Sequence, residues 1–383
     1  MKKIKVATSN TRGFLKCLFD HRFNEIKFVY KNDDVYEVPS KLKVILTQMI
    51  TWSIFDYLGI FQIIKVYDDE CDMLFSYNRF LKTNKPYVIF VENPSALVNY
   101  CWERPKKYIA KRKLKKCFED KNLKAIVCMS NACYRYFDNL YERPDTVDKL
   151  QIYPYIEDDY SFTEFDIDKK VNSRELECLF ISSDFELKGG RDIISTFEYL
   201  DRINSNAHIT LITRKSSIRE NDLERINSLR NMTLIEFALS KEELSEYYKK
   251  AVVLINPTRR DSFSLVTLEA IKYGCAVLAT DVYAIKEMDV DGFNGFITSS
   301  MFKIWDEDGV RNKYDRTHPK KTVMSGAVDE TLVEWMKTKI ELLDSDRALL
   351  KQMCINSLKH ARNEELSDIS IAQKWENLFL KYL

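Results

Sequence analysis

The chain has 383 residues, 45% of them hydrophobic and 31% charged, which is the composition of an ordinary soluble protein long enough for two domains. Nine scattered cysteines without a CxxC pair and only four histidines exclude a disulfide framework and a zinc site, and fit a reducing cytosol. The net charge of +1 hides an asymmetry: residues 1–150 carry 27 Lys/Arg against 18 Asp/Glu, so the remainder is acidic. No recognition motif accompanies the basic half, so nucleic acid is not the expected partner.

No secretory signal opens the chain, because Met1-Lys2-Lys3-Ile4 runs straight into a strand over residues 4–8. Ser9-Asn10-Thr11-Arg12-Gly13 and a helix from Phe14 follow, and residues 26–30 form a second strand. Gly13 can let backbone N–H groups approach a phosphate, or it is a plain turn glycine. Residues 44–66 are long and apolar with only Asp56 and Lys65 charged. A charge near the middle costs about 2.5–3.5 kcal/mol in a spanning helix. The expectation is a buried or membrane-grazing helix.

Short apolar runs at 72–77, 87–92 and 124–129 read as further strands. Glu92, at the end of one of them, reads as a helix-capping or turn residue before Pro94. Arg104–Lys116, RPKKYIAKRKLKK, holds eight Lys/Arg in thirteen residues, with Ala110, Leu114, Cys117 and Phe118 on one helical face. It is either a solvated face or a surface for an anionic membrane with shallow insertion of Leu114, Cys117 and Phe118. Residues 149–155 read as a last strand, and the acidic stretch 157–168 as a linker.

The second half alternates strands near 176–182, 208–213, 232–237, 251–255 and 275–280 with helices near 190–203, 218–230, 240–250 and 263–273. That alternation implies a doubly wound parallel sheet. Gly274 stands where a left-handed helix cap is wanted. Residues 301–330 break the pattern and read as an insertion, and 332–383 are helical.

The stretch 252–296 carries the sharpest pattern. Asp261, seven residues, then Glu269 are followed by Gly274, an apolar strand, Thr280-Asp281, Glu287 and the DGFNGF run ending at Phe296. Upstream lie Leu179-Phe180-Ile181-Ser182-Ser183 and Leu187-Lys188-Gly189-Gly190. Together these segments resemble the donor-binding half of retaining glycosyltransferase family 4. The chain departs from that pattern at three kinds of position: Asp261 replaces a Glu, Ser262 and Ser264 replace Gly, and Ser183 replaces an Arg.

The resemblance implies a GT-B fold, α/β, with two Rossmann-like doubly wound parallel-sheet domains facing a cleft. Residues 1–160 would hold the acceptor, 161–365 the nucleotide-sugar donor, and the helix in 366–383 would cross back to the first domain. Lys188 would meet the diphosphate, helped by backbone N–H groups of Ser264 and Leu265 at the helix start near Phe263. Glu269 would accept from both ribose hydroxyls, and Asp261 would hold the sugar hydroxyls. Arg214, Arg259 and Arg260 are further phosphate candidates, Gly13 belongs to a loop on the cleft, and Glu92, standing where the family often has a His, would serve an acceptor hydroxyl.

The implied activity is a cytoplasmic, metal-independent, cofactor-free hexosyltransferase. It would move sugar from a nucleotide sugar to a saccharide or lipid-linked acceptor in polysaccharide or glycan assembly, peripheral at the inner membrane face through Arg104–Lys116. A nucleotide-sugar epimerase of GT-B fold and a non-catalytic binding subunit are the alternatives.

Overall fold

The computed structural model describes residues 1–7, 13–30, 52–67, 70–142, 149–157, 161–305, 321–323 and 325–383. It resolves into two compact units, one of residues up to Asp158 together with Glu364–Leu383, the other of the chain between.

The first unit runs β1 (Lys2–Val6), α1 (Leu15–Asp20), β2 (Ile26–Val29), α2 (Ser53–Tyr57), β3 (Ile63–Lys65), β4 (Met73–Tyr77), β5 (Phe80–Lys82), β6 (Tyr87–Val91), α3 (Tyr108–Phe118), β7 (Leu123–Cys128), α4 (Asn131–Tyr141) and β8 (Leu150–Ile152). Its six-stranded parallel sheet has the order β2-β1-β4-β6-β7-β8, and β3 and β5 pair separately. The middle strands MLFSY and YVIFV are buried at every position, which is why they read as unbroken apolar runs rather than as alternation.

The second unit runs α5 (Glu164–Val171), β9 (Leu176–Ser182), α6 (Gly190–Arg202), β10 (Ala207–Thr213), α7 (Glu220–Ser228), β11 (Met232–Glu236), α8 (Lys241–Lys250), β12 (Val253–Asn256), α9 (Leu265–Lys272), β13 (Ala276–Thr280), β14 (Gly295–Thr298), α10 (Glu330–Ser345) and α11 (Arg347–Ala361). Its sheet, also six-stranded and parallel, has the order β11-β10-β9-β12-β13-β14. The order reverses between β9 and β12, and in open α/β sheets ligands bind beyond the carboxyl ends of strands at such a switch point. The last helix, α12 (Asp368–Tyr382), belongs to the first unit. Trp375 is buried against Phe75, Phe90, Tyr153 and Phe379, and Glu376 accepts the Glu25 N–H at 2.6 Å. Truncating an indole buried in this way costs about 3–5 kcal/mol, so α12 is part of the first core.

Several expectations fail for physical reasons. Residues 44–51 lie outside the described residues, and 52–66 are not one helix. The five-residue α2 ends, Gly59 turns the chain at φ +58°, and β3 follows. No helix among the described residues is long and apolar enough to cross a membrane. The expected linker instead contains α5, opened by a capping box in which Thr163 and Asp166 satisfy each other's backbone N–H groups. Most of the 301–330 insertion lies outside the described residues.

The basic stretch also differs from expectation. Arg104 is fully buried and bonded to Asp56 at 3.0 Å. Leu114 and Phe118 are buried too, with the Phe118 ring against Phe80, Phe137 and Tyr141, and Cys117 is half-buried. These side chains fill the core and do not insert into lipid. The lysines and arginine at 111–113, 115 and 116 are exposed.

Candidate active site

At the switch point, β9 leads to Lys188-Gly189-Gly190 and β12 to the loop 257–264. Gly189 has φ +76°, and a Cβ there would collide with the Pro257 carbonyl; a Cβ on Gly190 would enter the Phe185 ring. Only glycine lets the start of α6 lie this close to the β12 loop. The Arg259 N–H donates to the Leu187 carbonyl at 3.1 Å, fixing the two loops side by side.

Lys188 thereby reaches over the second loop. Its Nζ donates to Asp261 Oδ2 at 2.6 Å and to the Arg260 carbonyl at 2.9 Å. Asp261 Oδ1 accepts the N–H groups of Ser262 at 2.9 Å and Ser264 at 3.1 Å, and Phe263 N–H lies 3.4 Å away. One ammonium and successive amides at the start of α9 thus converge on one carboxylate. This is a cradle for an anion, presently filled by the chain's own Asp261.

The cradle requires an unusual backbone. Ser264 adopts φ +72°, the left-handed region that a side chain disfavours. Its Oγ offsets part of that cost by accepting from Asn256 Nδ2 at 2.9 Å and sharing a hydrogen bond with Thr267 Oγ1 at 2.8 Å. The departure from glycine is therefore accommodated by Asn256 and Thr267.

Glu269 sits one turn into α9, half-buried, and accepts from the buried Tyr248 hydroxyl at 2.6 Å. The Tyr248 ring stacks on Tyr273 with centroids 5.5 Å apart and planes 4° from parallel. Glu269 is thus oriented rather than loose on a helix surface. Nothing in the sequence around Tyr248 marked it as the partner.

Trp305 was missed as well. Its Nε1 donates to the Asp261 carbonyl at 2.8 Å, and its ring packs on Tyr283 at 5.0 Å. Ile304 N–H donates to the Arg259 carbonyl at 2.9 Å, so residues 304–305 clamp the loop from beyond β14. Lys303 pairs with Asp281 at 3.1 Å.

The other predicted residues are placed as follows. Phe263 is buried, and Leu265 is half-buried at the first turn of α9. Arg214 is exposed beyond β10, and its carbonyl accepts from Ser217. Arg259 is corrected: it is 1% exposed, bonded to buried Asp192 at 2.9 Å, and stacked over Phe302 at 4.5 Å. Burial pushes the Asp192 carboxyl up, against the pull of the Arg259 guanidinium. A guanidinium so enclosed binds Asp192 and not a phosphate. Arg260, its neighbour, is exposed.

Glu92 and Gly13 belong to the first unit. The Tyr77 hydroxyl donates to Glu92, whose N–H donates to Asn78 Oδ1 at 3.2 Å. The Tyr77 ring meets Phe14 edge-on, and Phe14 meets Tyr155. Gly13 is an exposed turn residue whose carbonyl accepts the Lys16 N–H. The rest of its expected loop, residues 9–12, lies outside the described residues. Among the described residues no group of three or more metal-ligating side chains forms.

The family model described as glycosyl transferases group 1 matches residues 176–303, the stretch that builds the cradle. A D-inositol 3-phosphate glycosyltransferase of Nocardiopsis dassonvillei is 28% identical over 136 residues; the chain covers 30% of that relative's length, and the match covers 33% of this chain. Among solved structures, sucrose-phosphate synthase of Thermosynechococcus elongatus superposes with a TM-score of 0.62 at 12% identity, covering 100% of this chain and 99% of that one. Anabaena Alr3699/HepE in complex with UDP-glucose gives 0.57 at 12% identity, with both chains covered completely. The chain, with two parallel-sheet α/β units, has the GT-B fold, and residues 176–303 of its second unit match the glycosyl transferases group 1 model.

Proposed function

We propose that the chain is a retaining glycosyltransferase that moves a hexose from a nucleotide sugar to a saccharide or lipid-linked acceptor in glycan or polysaccharide assembly. One observation carries the reading: Lys188 and the amides of residues 262–264 converge on a single anion position at the sheet's switch point, one helical turn from the oriented Glu269. A nucleoside diphosphate needs those groups in that order, positive charge for phosphate and a carboxylate for the ribose diol. When it binds, Lys188 and the amides stabilise the charge that grows on the leaving group. Displaced from the amides, Asp261 becomes available to hold sugar hydroxyls. Lys188 and the amide dipoles supply the positive charge themselves, so activity is expected to survive a metal chelator.

Glu92, held by Tyr77, is the first-unit residue suited to an acceptor hydroxyl. The exposed lysines of Arg104–Lys116 bring the enzyme to the anionic inner face of the membrane, and all nine cysteines are free, as suits the cytoplasm where nucleotide sugars are made. The Anabaena protein's UDP-glucose makes that donor the first to assay. Release of nucleoside diphosphate that requires an acceptor, with product of unchanged anomeric configuration by NMR, supports the reading. Conversion of the donor to its epimer without an acceptor, or tight donor binding with no turnover, transfers the site to the epimerase or the binding-subunit alternative.

A further inference from the structure

We propose that the first unit carries a membrane-docking face made by α2, the Gly59 turn and the first turn of α3, and that its partner is an anionic lipid surface. This deepens the membrane partner of the reading above and rests on none of the donor-site residues.

The first observation is that α2 is inverted. Its only charged residue, Asp56, is 9% exposed and bonded to Arg104, which is fully buried and also donates to the Val98 carbonyl at 3.1 Å. Phe55 is half-buried, but Ile54 and Tyr57 point the other way, 55% and 60% exposed, with Trp52 and Leu58 exposed beside them. A helix packed for water alone would turn the charge out and the apolar side chains in. The buried Asp56–Arg104 pair fixes the opposite orientation, because releasing either partner strands a charge in the core.

The second observation is that the face is continuous. A Cβ on Gly59 would lie 2.7 Å from the Ala110 nitrogen, and Lys113 Nζ donates to the Gly59 carbonyl at 3.1 Å. The turn is therefore seated on the start of α3, where Tyr108 and Ile109 are exposed. A contiguous apolar patch of this kind marks an interaction site.

The third observation is the charge around it. Lys107 lies over the Tyr57 ring at 4.6 Å, and the lysines and arginine at 111–113, 115 and 116 are all exposed. The acids nearby are Glu103, Glu119 and Glu142, paired with Lys106, Lys115 and Lys111 at the surface. Exposed pairs of this kind hold little energy and give way to a field of lipid phosphates. Tryptophan, tyrosine and long lysines around aliphatic residues suit the boundary between headgroups and acyl chains. A second copy of this chain suits it poorly. An isologous contact would set the same basic stretch against itself.

The test uses the full chain and vesicles of phosphatidylcholine alone or with about one quarter phosphatidylglycerol, some made with brominated acyl chains. Expected are binding to the anionic vesicles at least about tenfold tighter than to the neutral ones, release by high salt, and tryptophan quenching by brominated lipid. Trp52→Phe removes the quenching while binding persists. The double variant Ile54→Ser/Tyr57→Ser, which alters only exposed side chains, weakens binding about tenfold or more with an unchanged melting curve. Unchanged binding of that variant, or binding without quenching, overturns the proposal in favour of simple charge adsorption. A dimer in light scattering that the same variant disperses overturns it in favour of self-association. None of these readouts involves turnover, so failure of the transferase reading leaves the test intact.

Discussion

Lys188 Nζ stands 2.6 Å from Asp261 Oδ2, across 73 residues of sequence, with both side chains mostly shielded from water. The pair joins the two loops that leave β9 and β12. The ammonium and the amides of Ser262 and Ser264 meet on that one carboxylate. In the proposed function an incoming phosphate displaces this carboxylate and frees Asp261. In that reading the phosphate and the Asp261 carboxylate are alternatives for the position that Lys188 and the amides face, and Lys188 and Asp261 hold different parts of one substrate.

The first prediction follows from that exchange. Lys188→Ala removes the ammonium that donates to the cradle carboxylate, so affinity for nucleoside diphosphate should fall by about 1.5–3 kcal/mol. Asp261→Asn removes the competing charge, so nucleotide affinity should hold or rise while transfer is lost. Calorimetry with UDP alongside the transfer assay checks both. A drop in UDP affinity for Asp261→Asn would contradict a sugar-facing role.

The second concerns Glu269 and Tyr248. Glu269→Ala should weaken nucleotide binding by about 1.5–3 kcal/mol, because a charged acceptor is deleted. Tyr248→Phe keeps the stack on Tyr273 but removes the 2.6 Å bond that aims the carboxylate. Its effect on the same affinity should be smaller, about 0.5–1.5 kcal/mol. Equal losses from both variants would show that Tyr248 touches the ligand itself.

Much of this architecture is legible in the residues. The strands LECLFIS, VLIN and AVLAT are buried throughout, so continuous apolar runs announce them without alternation. Asp261, Glu269 and Lys188 stand out through the resemblance of their two segments to the donor-binding half of the family. What stays hidden depends on distant partners. Arg259 and Arg260 are adjacent and identical in type, and only Asp192, 67 residues away, decides that one is core and the other surface. Trp305 clamps Asp261 from a stretch that reads as an insertion. The 44–66 run hides its turn because Gly59 and Asp56 are single residues in an apolar average, and their meaning comes from Ala110 and Arg104. β14 is an edge strand that opens on Gly295 and is half-buried beyond it, so it lacks the fully buried apolar run that marks β12 and β13.

A third prediction tests the backbone of the cradle. Ser264 holds φ +72° while its hydroxyl bonds Asn256 and Thr267. Ser264→Ala keeps the strain and deletes the hydroxyl, so it should destabilise by about 1–3 kcal/mol. Ser264→Gly deletes the same hydroxyl but relieves the left-handed strain, worth roughly 1 kcal/mol, and should be the milder change. Melting temperatures in the order wild type, Gly, Ala check this. An alanine variant at least as stable as the glycine variant would mean the backbone there is unstrained.

The fourth prediction is about pH and Asp289. This residue lies between Met288 and β14, is fully buried, and among the described residues neither carboxyl oxygen has a hydrogen-bond partner. A Cβ on Gly295 would lie 2.6 Å from its Oδ1, which shows how tightly the segment is packed. Burial pushes the Asp289 carboxyl well above the ordinary carboxylate range, and the Asp291 carboxylate adds to the rise. A raised folded-state value means the native protein keeps a proton that the unfolded chain has released. Its stability contribution is therefore complete below the unfolded value of 3.8 and is lost progressively as pH rises from there toward the folded value. Asp289→Asn imitates the protonated acid at every pH. The variant should match the wild type below pH 3.8 and melt higher near pH 7.5, by an amount equivalent to about 1–3 kcal/mol, the cost of a buried polar group without a partner. Thermal melts across that range read the effect directly. A difference that stays constant with pH would assign it to packing at Gly295, and a lower melting point for the variant at neutral pH would show that the Asp289 carboxylate is ionised and satisfied.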